Sequence, residues 1–178
     1  MILTGSKIIE EVRNGRITID PFVEKNVSTN SYDFHVGDLI KTYKSQLLDP
    51  KLIQEVETHE IADEGFIMHP NKVYLGSTFE IMGSNHYVPI IRGTSSIGRL
   101  GLFINITADL IDIGSINRWT LQFNASQSIR IYKRMKIGQV TFWTIKGDIT
   151  LYKGKYKGTM EPQESLIYKD FEDKEHKK

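Results

Sequence analysis

Apolar and polar residues alternate over much of the chain after Phe66. A period of two residues is expected of β-strands that have one face buried and one exposed. The alternation is clearest in 73–79, 119–123, 129–131 and 140–144. Gly, Pro, Asn and Ser separate these runs about every 8–12 residues, a spacing typical of β-sandwiches, jelly rolls and barrels. Strands do not alternate with helices, and no glycine-rich dinucleotide or P-loop motif occurs. Rossmann and P-loop domains are therefore not predicted.

The N-terminal third carries weaker signals. Thr4 is placed to cap a short helix that ends at Asn14-Gly15, because apolar residues recur at helical spacing between them. Residues 31–36 predict a short strand. The polar and acidic stretch 47–64 is predicted to form a loop or an irregular edge.

A chain of 178 residues suits one domain with its own core, and we predict a single β domain over 1–168. The segment 153–159 is basic, glycine-rich and aromatic, which suits either a mobile flap that orders over an anion or an exposed loop. We take 152–160 as a closing segment of the domain. The remaining residues, 169–178, are nearly all charged and are predicted to form a frayed, solvated tail.

Composition narrows the classes of function. The formal net charge is +1, so the chain as a whole is not suited to binding nucleic acid or an anionic membrane. No run approaches the roughly 18 apolar residues of a membrane span, and the N-terminus is unlike a signal peptide, so a cytoplasmic location is expected. Cysteine is absent. Its absence excludes disulfides, thiolate zinc sites and the zinc-dependent nucleobase deaminases that use cysteine ligands.

The segment 92–102 combines residue types that suit a phosphorylated ligand. Small hydroxyl residues stand between glycines, so backbone N–H groups and hydroxyls could converge on phosphate oxygens. Arg92 or Arg99 could add a charge-assisted hydrogen bond. A polar turn before a strand would explain the same pattern.

Two later segments carry single polar candidates. Asp112 stands before a predicted turn at Gly114, where its carboxylate could orient water or a ribose hydroxyl, or could instead close an Asx-turn. Residues 118–123 predict a strand in which Gln122 faces opposite to its apolar neighbours.

Taken in order, these segments resemble the signature of the dCTP deaminase family. The signature elements are Ser95-Ser96-Ile97-Gly98-Arg99-Leu100-Gly101-Leu102, Thr107-Ala108, Ile111-Asp112 with Gly114, and Leu121-x-Phe123. Further similar elements are Met1-Ile2-Leu3, Ser31-Tyr32-Asp33 with Gly37, His69-Pro70, Leu75-Gly76-Ser77-Thr78-Phe79-Glu80, Ile137-Gly138-Gln139-Val140 and Lys155-Tyr156. The resemblance covers nearly the whole chain apart from 54–64.

The resemblance implies a mainly β fold, a distorted jelly roll or β-barrel of the dUTPase-like type with a short N-terminal helix. It also implies a homotrimer with active sites between subunits, and Mg²⁺ bound with the nucleotide triphosphate. Members of the family hydrolyse the 4-amino group of dCTP without zinc to give dUTP and ammonia, and some also release pyrophosphate to give dUMP. The expected ligand is dCTP, dUTP or a related pyrimidine deoxynucleotide, with no nucleic-acid or membrane partner.

The resemblance also assigns roles to residues of this chain. Phosphates would bind at Ser95, Ser96 and Arg99, with the tail folding over them, while Ala108 would face the pyrimidine and Asp112 the deoxyribose. The catalytic candidates are Gln122, Asp112 and Ser95. The residues expected to bind the nucleotide are Arg92, Thr94, Ser95, Ser96, Arg99, Asn105, Thr107, Ala108, Asp112, Gln122, Tyr152, Lys155, Tyr156 and Thr159.

Two positions depart from the family pattern. The family has Arg where this chain has Thr94, and it has a proton-transferring Glu where this chain has Gln122. Glutamine cannot pass a proton at neutral pH, and loss of a general acid/base typically costs about 10²–10⁴-fold in rate. Three hypotheses follow: conversion of dCTP to dUTP, a dUTPase-type diphosphatase, or a catalytically silent nucleotide-binding or regulatory homologue.

Overall fold

The computed structural model describes residues 1–175, and the side chains of 173–175 are not considered. The chain forms three helices and twelve strands in the described part. The helices are α1 (Gly5–Arg13), α2 (Ser95–Arg99) and α3 (Lys169–Glu175). The strands are β1 (Thr18–Asp20), β2 (Tyr32–His35), β3 (Leu39–Tyr43), β4 (Val56–Glu60), β5 (Phe66–Met68), β6 (Val73–Ser77), β7 (Ile81–Gly83), β8 (Val88–Gly93), β9 (Leu102–Phe103), β10 (Thr120–Ala125), β11 (Ile129–Ile131) and β12 (Lys136–Trp143).

The strands pair in four antiparallel sheets. The largest has the order β4-β3-β6-β10-β9, and a three-stranded sheet has the order β2-β12-β8. Two further pairs, β1-β7 and β11-β5, complete the arrangement. The prediction of a mainly β, distorted jelly roll of the dUTPase-like type with a short N-terminal helix is confirmed, although the strand pairings of 1–175 close no barrel.

One apolar core joins the sheets. Alternate residues of β10 point inward, so Leu121 and Phe123 are fully buried while their neighbours face the other side of the sheet. Side chains from β2 and β12, including Phe34 and Phe142, fill the same core. The opposite faces of β3, β6 and β10 form one surface, where the candidate site lies.

Helix α1 is attached to the body through a buried carboxylate. The side chain of Glu11 is 0% exposed, and it accepts hydrogen bonds from Arg16 (Nη2 to Oε1, 2.5 Å) and from Tyr87 (Oη to Oε2, 2.8 Å). The Lys7 ammonium lies 3.0 Å from the same group. The hydrogen bonds from Arg16 lower the pKa of Glu11 to about 2, and this effect outweighs the opposing effect of burial.

Three local predictions differ from the structure. The stretch 47–64, predicted to be irregular, contains β4, which pairs with β3 over five residues. The segment after Gly93, for which a polar turn was one of two interpretations, forms a five-residue helix, α2. Residues 169–175, predicted to be frayed, form α3, and the rest of that predicted tail, 176–178, lies outside the described residues. In the part of the chain that the structure describes, no helix is long and apolar enough to cross a membrane.

Candidate nucleotide site

A pocket of about 560 Å³ lies on the outer face of β3, β6 and β10. The loop 106–117 forms one wall, and the C-terminal segment 152–165 forms the other. Its lining residues are Tyr43, Leu75, Ile106, Thr107, Ala108, Leu110, Ile111, Asp112, Ser115, Asn117, Trp119, Thr120, Gln122, Tyr152, Tyr156, Thr159, Gln163, Glu164 and Ser165. Seven of the predicted nucleotide-binding residues are among them. A larger depression of about 1010 Å³ elsewhere contains none of the predicted residues.

Gln122 lies on the floor of the pocket. It belongs to β10, pairs in register with Leu75 of β6, and is half-buried. Its side-chain Nε2 donates to the carbonyl oxygen of Thr120 at 3.1 Å. Because that carbonyl can only accept hydrogen bonds, the amide nitrogen must face it. In this orientation the amide oxygen and the second N–H of Gln122 are available to a ligand in the pocket.

The wall that carries Ala108 and Asp112 is fixed to strand β8. Backbone hydrogen bonds of 2.9 Å run from Ile91 N–H to Asp109 O and from Ile111 N–H to Pro89 O. The turn after Asp112 is closed by the Ser115 N–H on the Asp112 carbonyl at 3.1 Å. Asp112 is exposed at this turn and lines the pocket.

Gly114 allows the C-terminal segment to cross this wall closely. Its φ of +88° lies in the left-handed region, and a Cβ atom there would meet the Leu151 Cβ at 2.9 Å. The segment then makes a 2.7 Å hydrogen bond from Tyr152 N–H to Ile113 O. The close crossing brings Tyr152 to the rim of the pocket.

The segment 152–160 contacts the pocket at three points, Tyr152, Tyr156 and Thr159, and its other residues are exposed. Thr159 Oγ1 accepts from Asn117 Nδ2 at 3.1 Å, and Arg118 N–H donates to Thr159 O at 3.2 Å. The Tyr156 hydroxyl accepts from the Leu166 N–H at 3.0 Å. Most residues of 153–159 are exposed while Tyr156 and Thr159 contact the pocket, so the two alternatives for this segment, a mobile flap or an exposed loop, stay predictions.

Comparison with known proteins agrees with this arrangement. The model of the dCTP deaminase-like family matches residues 2–145. The chain belongs to the dCTP deaminase-like family. It is 42% identical over 173 residues to a protein of Clostridium botulinum (strain Eklund 17B / Type B) named "dCTP deaminase, dUMP-forming", a match that covers 97% of this chain and 99% of the relative. A protein of the same name from Leptospira biflexa is 39% identical over 175 residues, covering 98% of this chain and 100% of that one.

A solved structure supports the fold. The crystal structure of 2'-deoxycytidine 5'-triphosphate deaminase from Agrobacterium tumefaciens matches with a TM-score of 0.63 at 16% sequence identity. The match covers 79% of this chain and 47% of that one, so this chain spans about half the length of the crystallised protein.

The pocket formed by one chain does not include the predicted phosphate-binding residues. Ser95, Ser96 and Arg99 are exposed on and beside α2, and none of them lines the pocket. Arg92 lies outside the pocket as well, with its Nη2 3.9 Å from the Asp109 carboxylate. Thr94 and Asn105 are half-buried and also lie outside it.

Lys155 is the other predicted residue that does not line the pocket. Its ammonium donates to both carboxylate oxygens of Asp170, at 2.7 and 2.6 Å. The hydrogen bond to Asp170 raises the pKa of Lys155 above its ordinary value. Any phosphate bound by Lys155 must therefore compete with Asp170.

The structure also adds residues that the sequence did not indicate. Gln163, Glu164 and Ser165 line the pocket, as does Tyr43 of β3. Their segment carries no motif, and they reach the pocket only because the chain after Thr159 turns back over the sheet. Tyr43 belongs to 39–43, whose sequence Leu-Ile-Lys-Thr-Tyr does not alternate and gave no signal for it.

Proposed function

We propose that the chain binds dCTP in this pocket and converts it to dUMP by hydrolysis of the 4-amino group and release of pyrophosphate. The observation that carries the proposal is the convergence of Thr107, Ala108, Asp112 and Gln122 with the C-terminal segment around one pocket. The names of the relatives support dCTP as the substrate and dUMP as the product. The product predicted from the sequence was dUTP, which those names do not match.

The charge distribution supports placing the base and sugar in the pocket. The described residues that line it include the carboxylates Asp112 and Glu164 but neither Lys nor Arg. A triphosphate carries several negative charges and needs cationic or N–H donors. We therefore place the nucleoside in the pocket and the phosphates beyond its rim.

The phosphate-binding residues are proposed to come from a neighbouring copy in a homotrimer. The pocket of one chain lacks four predicted phosphate-binding residues: Arg92, Ser95, Ser96 and Arg99. Each copy is therefore proposed to contribute these residues to the site of the neighbouring copy. Exposed apolar residues surround this region, which supports a face covered by another chain. These residues are Leu100 (51% exposed), Phe103 (59%), Ile106 (52%) and Leu110 (60%).

Mg²⁺ is proposed to enter with the nucleotide. Carboxylate and phosphate oxygens are the ligands that Mg²⁺ prefers, and it commonly uses one or two protein carboxylates. Asp112 offers such an oxygen, while the described residues form no group of three or more His, Asp or Glu that could hold a metal. These residues suit an Mg²⁺ ion that is held mainly by triphosphate oxygens and water. The ion would neutralise part of the phosphate charge. The chain has no cysteine for a thiolate zinc site.

A second candidate function is nucleotide binding without catalysis. Gln122 favours it, because the amide on the pocket floor cannot transfer a proton.

One experiment distinguishes the two functions: the chain is incubated with dCTP, dUTP or dCMP and Mg²⁺, and ammonia and pyrophosphate are measured independently. Ammonia and pyrophosphate together support the conversion to dUMP, and pyrophosphate alone from dUTP supports a diphosphatase. A dCTP-dependent rise in melting temperature without either product supports binding alone. No product and no thermal shift would contradict both functions.

A further inference from the structure

The segment 163–165 is held across the pocket floor by three polar contacts. Gln163 N–H donates to Thr120 Oγ1 at 3.0 Å, and Ser165 N–H donates to the Tyr43 hydroxyl at 3.2 Å. Between them, the Lys41 ammonium donates to Glu164 Oε2 at 2.9 Å. These contacts tie the segment to β10 at one end and to β3 at the other, so the backbone of Glu164 is held over the intervening strand β6.

Strand register places Glu164 on the same side of the sheet as Gln122. Lys41 of β3 is directly opposite Leu75 of β6, and Leu75 is directly opposite Gln122 of β10. Residues directly opposite one another in antiparallel strands project from the same face. The ion pair therefore lies on the face that forms the pocket floor, and Glu164, which is 24% exposed, lines the pocket with Gln122.

Glu164 is a charged hydrogen-bond acceptor at neutral pH. Partial burial is the largest single influence and acts to raise its pKa, but the hydrogen bond and charge of Lys41, a backbone N–H and the Gln163 side chain together lower the pKa below its ordinary value. An ionised carboxylate can only accept hydrogen bonds. Lys41 engages Oε2, so Oε1 is not part of this ion pair.

Gln122 presents a second acceptor to the same space. One N–H of its nitrogen is held by the Thr120 carbonyl, and its amide oxygen is available as an acceptor. Two acceptors in one pocket match the two N–H groups of an exocyclic amine. They repel the 4-oxo group of uracil or thymine, which is itself an acceptor.

We propose that Glu164, positioned by Lys41 and acting with Gln122, selects a pyrimidine that carries a 4-amino group over one that carries a 4-oxo group. This inference rests on the proposed function, because it takes the base to lie in this pocket. It assigns to a residue outside the recognised motifs the discrimination between cytosine and uracil nucleotides. Sites that pair a buried polar group with a substrate N–H reject analogues that lack it more strongly than sites that sense shape alone.

The test is the ratio of the dissociation constants for dCTP and dUTP, measured by calorimetry on the full chain before measurable ammonia accumulates. Glu164→Gln keeps the shape and adds a donor that the 4-oxo group can use. We expect it to weaken the preference for dCTP by about 10-fold or more, since one charge-assisted hydrogen bond is removed. Glu161→Gln is the matched control, because Glu161 is exposed in the same segment and lies outside the pocket.

The outcomes separate the two proposals. A lower preference for dCTP in Glu164→Gln, with Glu161→Gln unchanged, supports the role of Glu164. An unchanged ratio, or an equal loss of affinity for both nucleotides, overturns it and leaves the proposed function in place. Failure of the unmodified chain to bind either nucleotide overturns both. If Glu164→Gln does not fold, Lys41→Met releases the carboxylate from its position, and a retained preference there would also overturn the inference.

Discussion

The amide of Gln122 is held in one orientation by the Thr120 carbonyl, and this orientation determines what the residue can do. The 3.1 Å hydrogen bond uses one of the two N–H groups and leaves the amide oxygen available as an acceptor. An acceptor can recognise a base, but it cannot pass a proton from water to a leaving amine. The residue is therefore suited to binding, and any deamination by this chain is expected to be slow.

Replacing Gln122 by Glu is expected to raise the rate of ammonia release from dCTP by about 10²–10⁴-fold, because a carboxyl group can transfer a proton. Beside the Thr120 carbonyl, the protonated form of that carboxyl would be favoured, which suits a general acid. A coupled ammonia assay measures the effect. Gln127→Glu, at an exposed position outside the pocket, is the matched control. No gain at position 122 alone would show that Thr94 or the pocket shape also limits the reaction.

Some residues of the pocket could be chosen from short sequence elements. Thr107, Ala108 and Asp112 belong to such elements and lie around one pocket, while their roles in binding stay predictions. Glu164 and Tyr43 were not predicted, since they join the pocket through hydrogen bonds between segments more than 100 residues apart. The replacement of family residues by Thr94 and Gln122 stays a prediction.

Among the secondary-structure elements, α1 depends on a buried ion pair rather than on its own cap. Thr4 stands at the N-cap but its side chain makes no capping hydrogen bond, whereas Glu11 is hydrogen-bonded to Arg16 and Tyr87. Glu11→Gln is expected to lower the free energy of unfolding at neutral pH by about 1–3 kcal/mol, because charged donors lose their partner. Denaturant unfolding measures this change, and Glu10→Gln on the exposed face of α1 is the control.

The carboxylate of Glu11 is also expected to make the stability of the folded chain depend on pH. The pKa of Glu11 is lowered to about 2 in the folded chain from an ordinary value of 4.5. Its contribution to stability is therefore fully present above about pH 4.5 and is lost as the pH falls toward 2. Thermal unfolding between these values is expected to show a shallower decline in Glu11→Gln than in the unmodified chain. An equal decline of melting temperature with pH in both chains would contradict the contribution of ionised Glu11 to stability.

The ion pair between Lys155 of the closing segment and Asp170 of α3 is expected to affect the affinity for dCTP modestly. Asp170 holds the Lys155 ammonium at 2.6 Å, so Asp170→Asn is expected to free Lys155 for phosphate. The pair is partly exposed, and such pairs contribute about 0.2–1 kcal/mol. The dissociation constant for dCTP should therefore fall by no more than about 5-fold. Asp148→Asn, at an exposed position outside the pocket, is the control for the calorimetry. Weaker binding of dCTP by Asp170→Asn would contradict the idea that Asp170 competes with phosphate for Lys155.

The strands that were predicted and those that were missed differ in their burial. Alternation predicted β6, β10 and β12 because each has one face in the core. Strand β4 was missed because it is an edge strand with no fully buried residue, so its polar sequence carries no periodic apolar signal. Its pairing with β3 is a tertiary effect that local composition does not reveal.

At the scale of the whole molecule, the predicted site divides into two groups of residues that one chain does not bring together. Gln122, Asp112 and the closing segment surround the pocket, while Ser95, Ser96 and Arg99 lie outside it. A rotational symmetry operation can join the two groups, because each copy then supplies one group to a site shared with its neighbour. The exposed apolar residues beside α2 are the surface on which such a contact would form.

Complementation between two defective variants tests this division of the site. Arg99→Ala removes a phosphate contact, and Asp112→Ala removes the carboxylate on the pocket wall, so each variant alone is expected to bind dCTP weakly. If sites are shared between copies, unfolding and refolding a 1:1 mixture restores about a quarter of the sites, because each site needs Arg99 from one copy and Asp112 from the next. Calorimetry on the mixture counts the restored sites, and light scattering reports the number of copies. If each chain forms its own complete site, every site in the mixture keeps one defect and no tight binding returns. That result would place Arg99 and Asp112 in a site formed within one chain.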